Sequence, residues 1–311
     1  MKKLLVASTA LLMTAGAAAA DVTVGGNGRM GLHFDGEDWN FTSRVRVTFT
    51  LSGQTDNGLS FGGSIRADNA ANGAAGAAGN IWVSGAFGKV MMGDVDGAAE
   101  VVAGNVSGVG LTGLGDLNDT VYFSDFVGDP VQDPTFQYTY TMSGFTFAAS
   151  ATDGNGAIGG RGIGGHLARQ FTTYAFGFGY AGTFSGGSFK VGIGYEHMED
   201  QLFNDDFGHI VGGGSMTFGA TTVKAMVGSS DDFLGGFTQY GVSVDHTFGA
   251  TTVTAFWRQN DFDFFANERA LGLGVAYDLG GGAKLMAGIV NEDIEGFGDD
   301  TWGDIGLSFT F

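Results

Sequence analysis

The chain has 311 residues, with 33 Asp and Glu against 14 Lys and Arg, a net charge of −19. So few basic side chains exclude a binder of phosphate backbones, and a sequence without cysteine excludes disulfide frameworks, thiolate metal sites and thiol catalysis. Its 58 glycines follow no Gly-X-Y period, and an aromatic content of 13% is too high for an acidic disordered chain.

The first element is an address. Met1-Lys2-Lys3 precedes a mostly apolar stretch from Leu4 to Gly16, and Ala17-Ala18-Ala19-Ala20 offers a small-residue cleavage site ahead of Asp21. This is the pattern of a secretory signal peptide over residues 1–20, leaving 21–311 as the exported domain. No later stretch supplies the ~20 consecutive apolar residues of a transmembrane helix. Export without such a helix points to the periplasm, the exterior or the outer membrane of a Gram-negative cell.

From Val22 onward the period is two. Val22, Val24, Gly26, Gly28, Met30, Leu32 and Phe34 fall on one face, and Thr23, Gly25, Asn27, Arg29, Gly31 and His33 on the other, as side chains alternate along a strand. The pattern predicts sixteen strands, near residues 22–34, 40–52, 59–67, 80–86, 88–94, 134–142, 145–152, 168–182, 188–196, 208–218, 221–228, 237–248, 252–259, 270–278, 283–290 and 301–311. Only residues 96–103 suit a short helix. Short glycine-containing connections, such as Ser143-Gly144, Gly219-Ala220 and Gly249-Ala250, alternate with long ones, of which 95–133 is the longest. That rhythm describes an up-and-down meander with its turns at one end and its loops at the other. Thr217–Val223 and Thr247–Val253 share the run Thr-Phe-Gly-Ala-Thr-Thr-Val, so one hairpin is repeated.

A soluble sandwich also alternates, but its inner face is bulky. Here the polar face is mostly Gly, Ser, Thr and Ala, with isolated Arg and Lys. A wide closed barrel turns its apolar residues toward lipid and its polar ones toward a wet lumen. Closure also removes the strand edges that lipid could not hydrogen-bond. Aromatic residues gather toward strand ends, at Phe34, Phe41, Tyr180, Phe218, Phe248, Tyr277, Phe309 and Phe311, as interfacial girdles do. The expected fold is all-β: a transmembrane sixteen-stranded antiparallel up-and-down β-barrel, wide enough for an aqueous channel.

Several segments carry a family likeness. Arg29-Met-Gly, Asp38-Trp-Asn-Phe-Thr-Ser-Arg44-Val-Arg46, Ser84-Gly-Ala-Phe-Gly-Lys89, Met92-Gly-Asp94, Ala276-Tyr-Asp-Leu-Gly-Gly-Gly282, the repeated hairpin and the terminal Phe311 resemble the alphaproteobacterial (Rhodobacter-type) general-diffusion porins. The resemblance spans essentially all of 21–311. It implies a homotrimer of barrels held in outer-membrane lipid, passing small hydrophilic solutes and ions, with the third long loop folded into each barrel. Residues 95–133 are the third long connection. Neither nucleic acid nor catalysis is implied. The last strand should close the barrel through Phe311 near Asp21. Val90–Gly93 and Ala98-Ala99 read as weakly lipophilic outer faces.

Charges are the expected working parts. Arg29, Arg44, Arg46 and Arg66 share the polar face of the first three strands, so they point into the lumen side by side. Acids crowd in and beside the longest connection, at Asp94, Asp96, Glu100, Asp116, Asp119, Asp125, Asp129 and Asp133. Val101, Val102, Leu111, Leu114 and Tyr122 between them suit packing against a wall. The resemblance implies that the arginine wall faces this loop across a constriction, whose acidic half is Asp94, Asp96, Glu100, Asp116 and Asp119. Opposed charges across water make a transverse field. One pair at ~10 Å in water contributes only about 0.4 kcal/mol, so several pairs and a narrow gap are required. Lys190, Lys224, Arg258 and Lys284 also fall on inward faces. Crowded carboxylates suit calcium, with Asp129 and Asp133 as candidate ligands; no other cofactor is expected.

Other motifs carry less. Gly26-x-Gly28-x-x-Gly31 opens no helix after a buried strand, as a dinucleotide site requires. Gly58-x-Ser60-x-Gly62 lies in a strand rather than at a strand-to-helix elbow. His197 and His209 flank an acidic loop and read as solvated loop residues. Two alternatives stand beside the diffusion channel. A substrate-specific channel would line its lumen with an aromatic slide, yet only Trp82, Phe256 and Trp302 leave the lipid-facing parity. A barrel enzyme of the lipase type would need Ser and His together at one rim, and no such pair is compelling.

Overall fold

In the computed structural model, which describes residues 20–70, 79–127, 134–154, 171–200, 205–231 and 235–311, the alternating segments are strands. They are β1 (Asp21–Phe34), β2 (Trp39–Gln54), β3 (Ser60–Ala70), β4 (Gly79–Gly85), β5 (Gly88–Gly93), β6 (Thr135–Met142), β7 (Phe145–Gly154), β8 (Phe171–Phe184), β9 (Gly187–Asp200), β10 (Asp205–Phe218), β11 (Thr221–Ser230), β12 (Phe237–Phe248), β13 (Thr251–Phe262), β14 (Glu268–Gly280), β15 (Ala283–Ile294) and β16 (Gly298–Thr310). Among the described residues these sixteen strands close into one barrel, with β1 paired to both β2 and β16. The expected leader, but for its last residue, lies outside the described residues.

Side chains are sorted inside out relative to a soluble protein. Val22, Val24, Phe41, Ile81, Ile193, Leu271 and Ile289 are exposed on the outer wall, where lipid is the solvent. The turns are tight. Ser143 and Gly144 have φ of 52° and 86°, the paired positive values of a type I′ hairpin, whose twist matches the strands it joins.

Alternation predicted the turn ends well and the loop ends poorly. β9 runs to Asp200 rather than 196, β10 starts at Asp205 rather than 208, and β15 runs to Ile294 rather than 290. Beyond the apolar band the outer face no longer needs apolar residues, so alternation fades while strand pairing continues. The closure is also staggered. Phe311 bonds both ways with Gly26, at 2.9 and 3.4 Å, and Asp21 pairs with Ser52 instead. Strand tilt in a barrel produces this offset.

The connection after β5 folds inward. It carries α1 (Ala98–Ala103), a 3₁₀ turn (Leu114–Asp116) and α2 (Phe123–Val127). Helix α1 lies against β7, β8, β9 and β10. Its first two residues, Ala98 and Ala99, expected on an outer face, are fully buried against the inner wall. The main apolar core is the seam between this loop and one side of the wall, where Val106, Val109, Leu114 and Tyr122 meet Val211, Met226, Phe256 and Val290.

Candidate functional site

The loop is seated by the small residues that the sequence places on the inner wall. A Cβ at Gly192 would overlap the Val102 carbonyl oxygen, and one at Gly194 would sit 2.5 Å from the Ala99 Cα. Glycine here is a seat for α1 rather than only a means of keeping the lumen open.

Polar wall residues then tie the loop along its length. Ser150 Oγ accepts the Ala98 N–H at 2.8 Å, and Gln137 Nε2 donates to the Asp96 carbonyl at 2.7 Å. Ser243 Oγ accepts the Ser107 N–H at 2.9 Å. Asp304 accepts the N–H groups of Leu111 at 2.9 Å and Thr112 at 2.7 Å. Gln239 bonds both the N–H and the C=O of Val121, at 2.7 and 3.0 Å, and Glu196 Oε2 accepts the Phe123 N–H at 2.9 Å. Backbone groups of an irregular segment inside a barrel need such partners.

The four predicted arginines come together. Arg29 and Arg44 are directly paired across β1 and β2, and Arg46 lies opposite Asn27. Arg66 pairs in register with Thr48 one strand further on. Arg29 donates to the Thr112 carbonyl at 3.3 Å, so the wall touches the loop. Sequence reasoning missed Asp68, which accepts a bidentate pair from Arg46 at 2.8 Å and lies 3.6 Å from Arg66. Its signal was available: Asp68 has the parity of Arg66.

The acids divide into two groups. Asp116 lies within the field of Arg29. Glu100, Asp96, Asp119 and Asp125 crowd one another and Glu196, and Asp94 acts on Asp96. Burial first, then the charges of Asp125, Asp96, Asp119 and Glu196, pushes Glu100 up to about 9. Burial and then Glu196, Asp96 and Asp119 push Asp125 up to about 7. Burial and then Asp94 raise Asp96. Asp96 and Asp125 still meet water, as expected of charges at the edge of a narrow, walled aqueous space. Asp129 and Asp133 lie outside the described residues. Among the described residues no cluster of three His, Asp or Glu is arranged to hold a metal ion.

Three other expectations have mixed outcomes. Arg258 is buried, donates to the Asp119 carbonyl at 3.0 Å and lies 3.5 Å from Glu268, so it anchors the loop rather than lining open water. Lys190 is exposed and Lys224 half-buried, flanking Ser215 in register on the inner face. His209, read as a loop residue, is fully buried between Glu196 and Gln239. No local motif could reveal it, because its partners are brought together by register.

Comparison with known proteins agrees with this architecture. A family model described as Gram-negative porin matches residues 7–296. A porin of Rhodobacter capsulatus is 35% identical over 94% of this chain and 100% of its own length. A porin of Fuscovulum blasticum is 24% identical over the same shares. A porin structure refined at 1.8 Å superposes with a TM-score of 0.76 at 34% identity, covering 94% of this chain and all of the other. A variant of the Rh. blastica porin, at 21% identity and a TM-score of 0.63, shares the fold.

Proposed function

The chain belongs to the Gram-negative porin family, and from that premise we propose how its channel selects. It is an outer-membrane channel for passive diffusion of small hydrophilic solutes and ions, and not an enzyme. In our reading the docked loop sets the constriction. Arg29, Arg44, Arg46 and Arg66 supply one side of a transverse field, and Asp94, Asp96, Glu100, Asp116 and Asp119 the other. A dipolar solute aligns in such a field, whereas an apolar one must displace ordered water. The observation that carries this reading is the row of wall-to-loop hydrogen bonds, from Ser150 to Asp304, which fixes the loop inside the barrel. With Glu100 protonated near neutrality the four remaining acids match the four arginines, and Asp68 offsets part of the wall, so the channel favours cations weakly. Single-channel conductance with a liposome-swelling series tests it. Stable ohmic channels with a sharp solute-size limit are expected, and discrimination among isomeric sugars of one size would favour a substrate-specific channel.

The oligomer is read as a homotrimer. β4 and β5 have 7 and 6 residues, only about 20 Å of extended chain, against an apolar band of about 25 Å. So low a wall is better covered by a neighbouring subunit than by lipid. Migration of the unheated protein at three times the monomer mass is expected, and a monomeric mass in mild detergent would contradict it. Calcium among the loop carboxylates is a further proposal that rests on their crowding. Removing calcium with a chelator should then raise channel noise, and unchanged records would dismiss it.

A further inference from the structure

One fully enclosed polar cluster inside the barrel is not among the constriction charges. Gln239 and His209 are fully buried and Glu196 is 1% exposed. Gln239 Oε1 accepts the Val121 N–H, and its Nε2 donates to the Val121 carbonyl. These two bonds fix which way the amide points. Its remaining N–H therefore meets His209 Nε2, 3.0 Å away. That ring nitrogen must accept, so the neutral ring carries its proton on Nδ1 and donates it to Glu196 Oε2 at 2.8 Å. The same carboxylate oxygen accepts the Phe123 N–H. One relay thus holds two alternate residues of the loop.

We propose that Glu196, His209 and Gln239 form a proton-sensitive latch that positions the loop at Val121 and Phe123, and that one proton taken up by the Glu196–His209 pair releases this part of the loop into the lumen. The inference rests on the reading that the docked loop sets the constriction. A proton on His209 Nε2 sets two donors against each other. Turning the Gln239 amide would relieve that clash but invert both contacts to Val121. A proton on Glu196 Oε1, which has no partner among the described residues, would instead strip the charge from the acceptor of the Phe123 N–H. Because the two groups are coupled, the proton belongs to the pair, and either placement loosens the loop.

The surroundings set the balance. The rings of Tyr122, Phe123 and Phe237 lie 6.2, 5.4 and 5.4 Å from the imidazole, and a Cβ on Gly228 of β11 would crowd its Nε2. These groups seal the ring from solvent. The facing ionisable groups are Glu196 on β9 and Tyr122 on the loop, whose hydroxyl donates to the Gly104 carbonyl instead. Behind Glu196 stand Asp125 and Glu100. Protonating those two relieves repulsion and tightens the loop, so acid-induced loosening has the opposite sign and points to the latch.

Single-channel records of the full protein in planar bilayers, taken from about pH 8 to about pH 5, test this. The wild type should gain brief closures and lose mean conductance toward acid. His209→Gln keeps a donor for Glu196 and an acceptor for Gln239 but removes the basic member of the pair, and should need more acid to close than the wild type does. Gln239→Met should close intermittently at both ends of the range. Acid closures in His209→Gln equal to those of the wild type, or none in the wild type, would overturn the latch. Reversal potentials separate this from the constriction reading. If Asp116→Asn shifts them while His209→Gln closes at the same pH as the wild type, only the latch fails; if Asp116→Asn also leaves them unmoved, the constriction reading fails. Should His209→Gln not fold, nitrogen-15 NMR of a protein with His33, His166, His197 and His246 changed to Asn decides. The Nδ1–H tautomer at neutral pH is expected, and the Nε2–H tautomer would refute the relay.

Discussion

Asp304 holds Thr112 twice through one oxygen: its Oδ2 accepts the Thr112 N–H at 2.7 Å and the Thr112 hydroxyl at 2.8 Å. Its other oxygen accepts the Leu111 N–H at 2.9 Å. A buried carboxylate on β16 is thereby fully committed to the loop, beside the arginine wall that it also helps to neutralise.

Asp304→Ala should therefore detach the Leu111–Thr112 segment without opening the barrel. Hydrogen bonds to a charged acceptor are worth about 1.5–3 kcal/mol each, so loop docking should weaken by at least about 3 kcal/mol. Protease cleavage within 105–120 should appear in the variant and be absent from the wild type, while the β-sheet circular dichroism is unchanged. Equal protease resistance would mean that this carboxylate does not hold the loop.

Gly192→Val tests the seat of α1 from the other side. The new side chain would strike the Val102 carbonyl, and backbone cannot yield as a flexible side chain can. The helix should be displaced toward the lumen axis and the conductance should fall. Unchanged conductance would show that α1 does not border the open path.

Selectivity should depend on pH, with a definite sign. Glu100 is raised to about 9 and Asp125 to about 7, so near neutrality the first is mostly protonated and the second about half. Raising the pH through 7 and then 9 adds negative charge beside the path, so cation preference should climb. The linked stability runs the other way. The docked loop binds these protons more tightly than the free chain, so their destabilisation is absent below about pH 4, grows as the pH rises and is complete above about 9. Reversal potentials in a KCl gradient from pH 6 to 10 measure the first effect, and a flat profile would contradict the crowding of these acids.

Much of this was legible in the sequence, for identifiable reasons. Every strand announced itself because one face must meet lipid and the other water, so Val22 to Phe34 alternates wherever it carries a side chain other than glycine's hydrogen. The arginine wall was legible by the same parity, since Arg29, Arg44, Arg46 and Arg66 need only be counted along strands. The anchors were not. Glu196 reads as one more lumen acid, and its tie to Phe123 spans 73 residues. His209 and Gln239 lie 30 residues apart and meet only through the registers of β10, β11 and β12. Local pattern reports which face a residue takes, whereas its partner across the lumen depends on how the barrel closes.

Charge substitutions at the two sides of the lumen should not be equal in size. Arg46→Gln removes a cation and also takes the bidentate partner from Asp68, leaving it only the 3.6 Å contact with Arg66, so it should move selectivity toward cations further than Arg44→Gln. Asp68→Asn should move it toward anions by freeing Arg46. Glu100→Gln should do little near pH 7, where Glu100 already holds a proton, and more above pH 9.

The reversal potential in a KCl gradient, compared between Arg44→Gln/Arg46→Gln and Glu100→Gln/Asp116→Asn, tests the central claim most directly. The field across the constriction requires displacements of opposite sign, toward cations for the first pair and toward anions for the second. Both should shrink as salt rises and the screening length falls from ~10 Å at 0.1 M toward ~3 Å at 1 M. If neither pair moves the potential, these residues do not line the constriction and the account is wrong.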